Sequence, residues 1–206
     1  MTRRSMPVRD YFLLNINTVV RMLIISDILI VGASGLMSPI FAIYIEDFII
    51  GGGMAVAGIA ASIYLITKSI FQIPIASILD RIRGEKDDFW ILFLGSLFGA
   101  LIPLSYIFIS TPLELYFVQF CVGITGAALF PAYMAIFTRH IDRRREGTEW
   151  GIYFTLVDMS SAVAASIGGV LAATIGFEWL IILLSCIGVI GSLLLLNIRP
   201  YIVNHN

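Results

Sequence analysis

Charge is scarce in this chain, and so are the side chains that carry most covalent chemistry. Only 13% of the residues are Asp, Glu, Lys or Arg, with two histidines and two cysteines. Cys121 and Cys186 both lie in apolar runs, so they read as small buried hydrophobes and not as a disulfide framework. Both histidines, His140 and His205, fall outside those runs, and neither His-Glu-x-x-His nor Gly-x-Ser-x-Gly occurs. The ligand and nucleophile patterns of a zinc or serine hydrolase are therefore missing, and no enzyme, metal or cofactor is expected. A net charge of −1 gives no basis for a nucleic-acid partner or a polybasic lipid anchor. The opening Met-Thr-Arg-Arg does not read as a cleavable signal, because the apolar run from Met22 is too long and lacks a closing small-residue site.

What the chain has instead is apolar length. It is 59% hydrophobic, with a mean hydropathy of +0.95, well outside the range of a soluble domain. A membrane span needs about 20 mostly apolar residues to cross about 30 Å of hydrocarbon. Six runs qualify: 22–45, 54–78, 89–109, 115–138, 151–174 and 179–198. Each is expected to be a helix, since lipid offers backbone groups no partner, and the in/out alternation of a barrel strand is absent. The expectation is an all-α membrane protein, residues 1–206 forming one six-helix domain without linker or second domain.

The few cations are unevenly placed. Arg21 precedes span one with Arg3, Arg4 and Arg9; Arg81, Arg83 and Lys86 follow span two; Arg139, Arg143, Arg144 and Arg145 follow span four; Arg199 follows span six. The connections 1–2, 3–4 and 5–6 carry acids (Glu46, Asp47, Glu114, Glu178) and no base. Cytoplasmic loops retain Lys and Arg during insertion, so both termini are expected in the cytoplasm.

A short element recurs. Span one reads Gly32-Ala-Ser-Gly35 and then Pro39; span four reads Gly123-Ile-Thr-Gly126 and then Pro131. With the termini on one side, spans one and four run in opposite directions, which makes 1–3 and 4–6 an inverted three-plus-three repeat. The other reading is that small residues permit close packing and proline kinks a helix.

The end of span two reads Ala76-Ser-Ile-Leu79-Asp80-Arg81-Ile-Arg83-Gly84-Glu-Lys86. It resembles the loop 2–3 signature of the major facilitator superfamily, Gly-x-x-x-Asp-Arg-x-Gly-Arg-Arg. Span four, from Gln119 through Gly123 and Gly126 to Pro131, resembles that family's fourth helix, and Gly176-Phe-Glu-Trp179 resembles the start of its sixth. The departures are Ala76 for the first glycine, Gly84 one place late, Gln119 where many members carry arginine, and Ala164-Ala165 before the retained Gly168-Gly169. The resemblance covers almost the whole chain but one six-helix half of the usual twelve. It implies a gating role for Asp80, Arg81, Arg83 and Arg139: a carboxylate at Asp80 would bond a neighbouring helix N-terminus or Arg139 and hold one access state shut. Without the family pattern, residues 80–88 read as a solvated loop that fixes topology.

Three ionisable residues interrupt the spans. Asp27 is about 9 Å of helix rise past Arg21, Asp158 about 10 Å past Gly151, and Lys68 about 18 Å before Asp80, near the midplane. A charge inside the membrane costs about 2.5–3.5 kcal/mol on insertion scales, so each is a functional candidate. For each, a structural role also stands: water reaches acids near an interface, and a lysine can serve a buried ion pair. Lys68's Cα–Cβ bond leans toward the start of its helix, away from the two acids. The expected pathway for substrate and protons comprises Asp27, Lys68 and Asp158, with polar contacts from Gln72, Gln119, Tyr64, Tyr133 and Tyr153.

In the family, substrate lies between two six-helix halves related by an axis along the membrane normal. One half offers a wall and no enclosed cavity, so a C2 homodimer is expected, with Lys68 approaching Asp158 of a second copy. The expected function is secondary active transport of a small organic solute, with or without coupled protons, at the plasma (inner) membrane. The alternatives are one half of a split heteromeric transporter, or a non-transporting membrane scaffold.

Overall fold

The computed structural model describes residues 16–82 and 84–202. Among them every regular element is helical, and six helical segments are long and apolar enough to cross a membrane: Thr18–Phe48, Met54–Arg81, Lys86–Ile107, Pro112–His140, Glu146–Ile175 and Phe177–Tyr201. All six apolar runs are recovered. Most ends extend past the apolar run because a helix keeps its own hydrogen bonds after the side chains turn polar.

Local chemistry sets the boundaries. Asn17 caps span one, its side-chain oxygen accepting from Val19 N at 2.8 Å. Span one is interrupted at Pro39 by a 3-10 turn, Ser38–Ile40, and resumes as Phe41–Phe48. Thr111 and Glu114 form a reciprocal capping box at the start of span four, where Thr111 N donates to Glu114 Oε2 at 2.9 Å. Spans five and six are separated by Gly176 alone, at φ +84°, a backbone state that favours glycine.

The pairing of helices follows their small residues. Span one packs along span five: a methyl group at Gly35 would lie 3.0 Å from the Ser161 carbonyl oxygen, and one at Gly168 would lie 1.9 Å from that of Leu36. Span four packs along span two, where a methyl group at Gly123 would lie 2.7 Å from Thr67 Cβ. Side chains could not be added at these contacts without parting the backbones. Span six lies against span one, with Ser26 Oγ donating to the Gly191 carbonyl at 2.7 Å, and span three lies against span four. Exchanging one with four, two with five and three with six maps this set of pairs onto itself.

Two apolar cores stack along the bundle. One gathers Leu23, Ile24, Ile136, Phe137 and Ile198 toward the end that bears Arg21, Arg139 and Arg199. The other gathers Tyr44, Ile45, Leu115 and Leu180 toward the base-free end. There the 1–2 and 3–4 connections meet, Ile50 N donating to Ser110 O at 2.8 Å. Spans two and five stand apart from the rest: 11% of the apolar window of each is buried, against 44% for spans one and six.

Candidate functional site

The basic half of the bundle holds the first ionisable cluster. Asp27 on span one is half-buried, and its Oδ2 accepts a 2.7 Å hydrogen bond from the Tyr153 hydroxyl on span five. The close approach of spans one and five at their glycines brings the two within reach. Tyr133 of span four packs its ring beside Tyr153, with centroids 5.4 Å apart. Three of the expected pathway residues, from three different spans, are thus one contiguous group.

Lys68 is half-buried on span two. Its stem crosses Gly126, and its ammonium stands 5.3 Å from the centroid of the Phe130 ring. The outward lean of its Cα–Cβ bond does not set its direction. Because span four has no side chain at Gly126, the flexible stem runs along it and delivers the charge one turn nearer the basic end, over an aromatic face. It forms no ion pair with Asp27 or Asp158 within the described residues. Gln72, one turn further along span two, is half-buried and makes no hydrogen bond with the described residues.

Asp158 lies elsewhere. It is exposed in the middle of span five and makes no hydrogen bond or ion pair with the described residues. It belongs to an outward stripe of Thr155, Asp158, Met159, Val163, Ser166 and Ile167, at helical spacing. Span two carries a similar stripe, with Ser62, Ser69 and Ser77 among Leu65, Ile66, Ile70 and Ile73.

Gln119 and Tyr64 form a separate site in the base-free half. Gln119 is buried, and its Nε2 donates to the Tyr106 hydroxyl at 3.2 Å. Tyr106 is held in turn by the Tyr44 hydroxyl, which donates to the Tyr106 backbone carbonyl at 2.6 Å. Gln119, Tyr64 and Tyr106 line, with Ser34, Phe41 and Pro103, a cavity of about 510 Å³ between spans one, two, three, four and six.

The loop residues divide. Asp80 and Arg81 are exposed at the end of span two, and Arg83 lies outside the described residues. Arg139 does not meet Asp80. It pairs with Asp88, whose side chain is 2% exposed, in the first turn of span three. The reason is packing: span three lies along span four, so its N-terminal acid reaches the end of span four, while Asp80 ends a helix whose outer face is open. Beside this pair His140 Nε2 stands 3.8 Å from Glu85 Oε2, and buried Glu149 accepts from Asp142 N at 3.4 Å. Asp88, Glu149 and Tyr106 were not singled out in the sequence. The available signal for Asp88 was an acid in a helix's first turn facing a basic helix end. Cys186 also departs from expectation: it is exposed on span six, where a thiol meets lipid as a small apolar group.

The Major Facilitator Superfamily family model matches residues 23–204. The chain is 24% identical over 173 residues to an uncharacterized MFS-type transporter of Methanocaldococcus jannaschii, covering 84% of this chain and 43% of that protein. It is 22% identical over 167 residues to the multidrug resistance protein MdtG of Escherichia fergusonii, covering 80% and 40%. It is 24% identical over 139 residues to a quinolone resistance transporter of Acinetobacter baumannii, covering 65% and 31%. The crystal structure of the POT family transporter PepTSo shares the fold, with TM-score 0.75 and 14% identity over 91% of this chain and 38% of that one. The chain spans less than half the length of each.

Proposed function

Because the chain belongs to the Major Facilitator Superfamily, a family whose relatives found here are transporters and not enzymes, we propose that it is one six-helix half of a secondary active transporter for a small organic solute. The unit works as a parallel C2 homodimer by alternating access, in the plasma membrane, with both termini in the cytoplasm. Spans 1–3 and 4–6 are an inverted repeat; the exchange-symmetric pairing of helices and the matching glycine contacts support that reading.

The observation that carries the proposal is Asp158. A carboxyl in mid-span, exposed in the isolated unit, is costly against lipid and inexpensive against water or a second protein surface. The outward stripes of spans two and five, where burial is least, are therefore the faces that meet the other unit. Lys68 and Asp158 then line a common pathway, and Asp27 with Tyr153 and Tyr133 forms a proton-accepting group at its basic end. Asp80 and Arg81 remain free to contact the second unit. Arg139, committed to Asp88, braces spans three and four within one unit.

The relatives' greater length favours a second reading, in which the other six-helix unit is a different polypeptide. Reconstitution separates the two. Purified protein in liposomes is expected to run as a dimer by light scattering and to take up a small organic dye under an imposed proton gradient. Uptake and pH dependence that survive Lys68→Ala would overturn the pathway, and a strictly monomeric, inactive protein would favour the heteromeric form.

A further inference from the structure

We infer that the cavity between spans one, two, three, four and six is a binding site for an uncharged aromatic compound with an amide-like polar end. The inference rests on the transport reading for its biological meaning, since it names the class of solute, but its geometry belongs to a single six-helix unit.

The cavity's volume, about 510 Å³, lies within the range of small-molecule sites. None of its lining residues is charged. An ionic ligand would find no counter-charge there, so the lining suits a neutral one. Two of the walls are aromatic: the Phe41 and Tyr106 rings stand 5.5 Å apart at 59°, and Tyr64 lines the cavity from span two. Flat π-surfaces in this arrangement suit a planar ring, by stacking or edge contact.

Gln119 supplies the specific element. It is 7% exposed, and its Nε2 donates to the Tyr106 hydroxyl. Its Oε1 receives no hydrogen bond from the described residues. That oxygen opens onto the cavity and is not sealed in the core, so a ligand N–H can take the place of water on it. The Tyr106 hydroxyl accepts from Gln119 and keeps its own proton to donate. Gln119 and Tyr106 therefore present one acceptor and one donor side by side, the complement of a carboxamide. The site is also distinct from the Asp27 group in chemistry and place. That group is ionisable and lies at the basic end; this cavity is neutral and lies toward the base-free end.

The test uses the full chain in lipid nanodiscs and equilibrium dialysis with 2-naphthamide, against 2-naphthoate and naphthalene. The amide is expected to bind at least about tenfold tighter than either control, and Gln119→Leu to weaken it at least about tenfold. Leu183→Ala, on the outward face of span six, is expected to leave binding unchanged. Failure of the wild-type chain to bind the amide, equal binding of the naphthoate, or wild-type affinity in Gln119→Leu overturns the site. If Gln119→Leu does not fold, Ala61→Phe at the cavity rim replaces it: lost binding supports the site, and retained binding overturns it. Amide binding without flux in liposomes would sink the transport reading and leave the site standing. Flux that is indifferent to Gln119→Leu would do the reverse.

Discussion

The outward faces of spans five and six are both open, yet their chemistry differs. Span six turns Trp179, Leu183, Cys186, Ile190 and Leu193 outward. Span five turns out a similar number of large apolar groups, but Thr155, Asp158 and Ser166 are set among them. Exposure alone therefore does not identify a lipid-facing surface. The hydrocarbon accepts the first face as it stands; the second needs water or protein over at least part of its length. The helices at issue are neighbours, joined through Gly176, so the change of environment occurs across a single turn of chain.

Five substitutions would break or sharpen this contrast. Gly168→Leu should have the largest effect, because it drives span five off the Leu36 carbonyl and removes the support that presents the stripe. A cost of ~3 kcal/mol or more is expected, read as loss of monodisperse protein on gel filtration. Well-folded Gly168→Leu protein would mean that the one–five contact is not fixed. Cys186→Asp puts a carboxyl on the apolar face and should cost about 2.5–3.5 kcal/mol in insertion, read as reduced membrane yield. Asp158 already carries that charge on the other face, so Asp158→Leu should leave yield unchanged or raised while abolishing flux. Equal yields for wild type and Cys186→Asp would erase the distinction between the faces. Arg139→Leu strands buried Asp88 and should lower unfolding stability by ~1–3 kcal/mol; rescue by Asp88→Asn in the same chain checks that the cause is the orphaned charge. Tyr153→Phe removes one hydrogen bond to Asp27 and should cost ~1 kcal/mol in thermal unfolding, with a larger effect on the pH dependence of uptake.

Much of the fold was legible because membrane insertion leaves coarse marks. Length and apolarity located all six spans, and Gly35 and Gly123 of spans one and four do lie at close helix contacts, although the tightest is at Gly168 of span five. What escaped depends on which helix lies beside which. Asp80 and Asp88 are both acids near Arg81 and Lys86, and nothing local says which of them span four will meet. The pathway residues were named as one set, yet Gln119 and Tyr64 face a neutral cavity, while Asp27, Tyr133 and Tyr153 form their own group. Lys68 was misdirected because the lean of a Cα–Cβ bond matters less than an open groove over Gly126 for a side chain with four carbons to turn. The difference between spans five and six is also invisible to hydropathy, which averages over the helix and ignores the face.

The hydrogen bond from Ser26 to Gly191 spans 165 residues of sequence. During synthesis, then, the first helix enters the bilayer long before the groove that receives it has left the ribosome. Span five, which clasps its glycines, also comes late, and spans two and four must find each other in the meantime. The bundle closes only when its last helix arrives. A chain truncated before span six should therefore be a target for membrane quality control and not a smaller working unit.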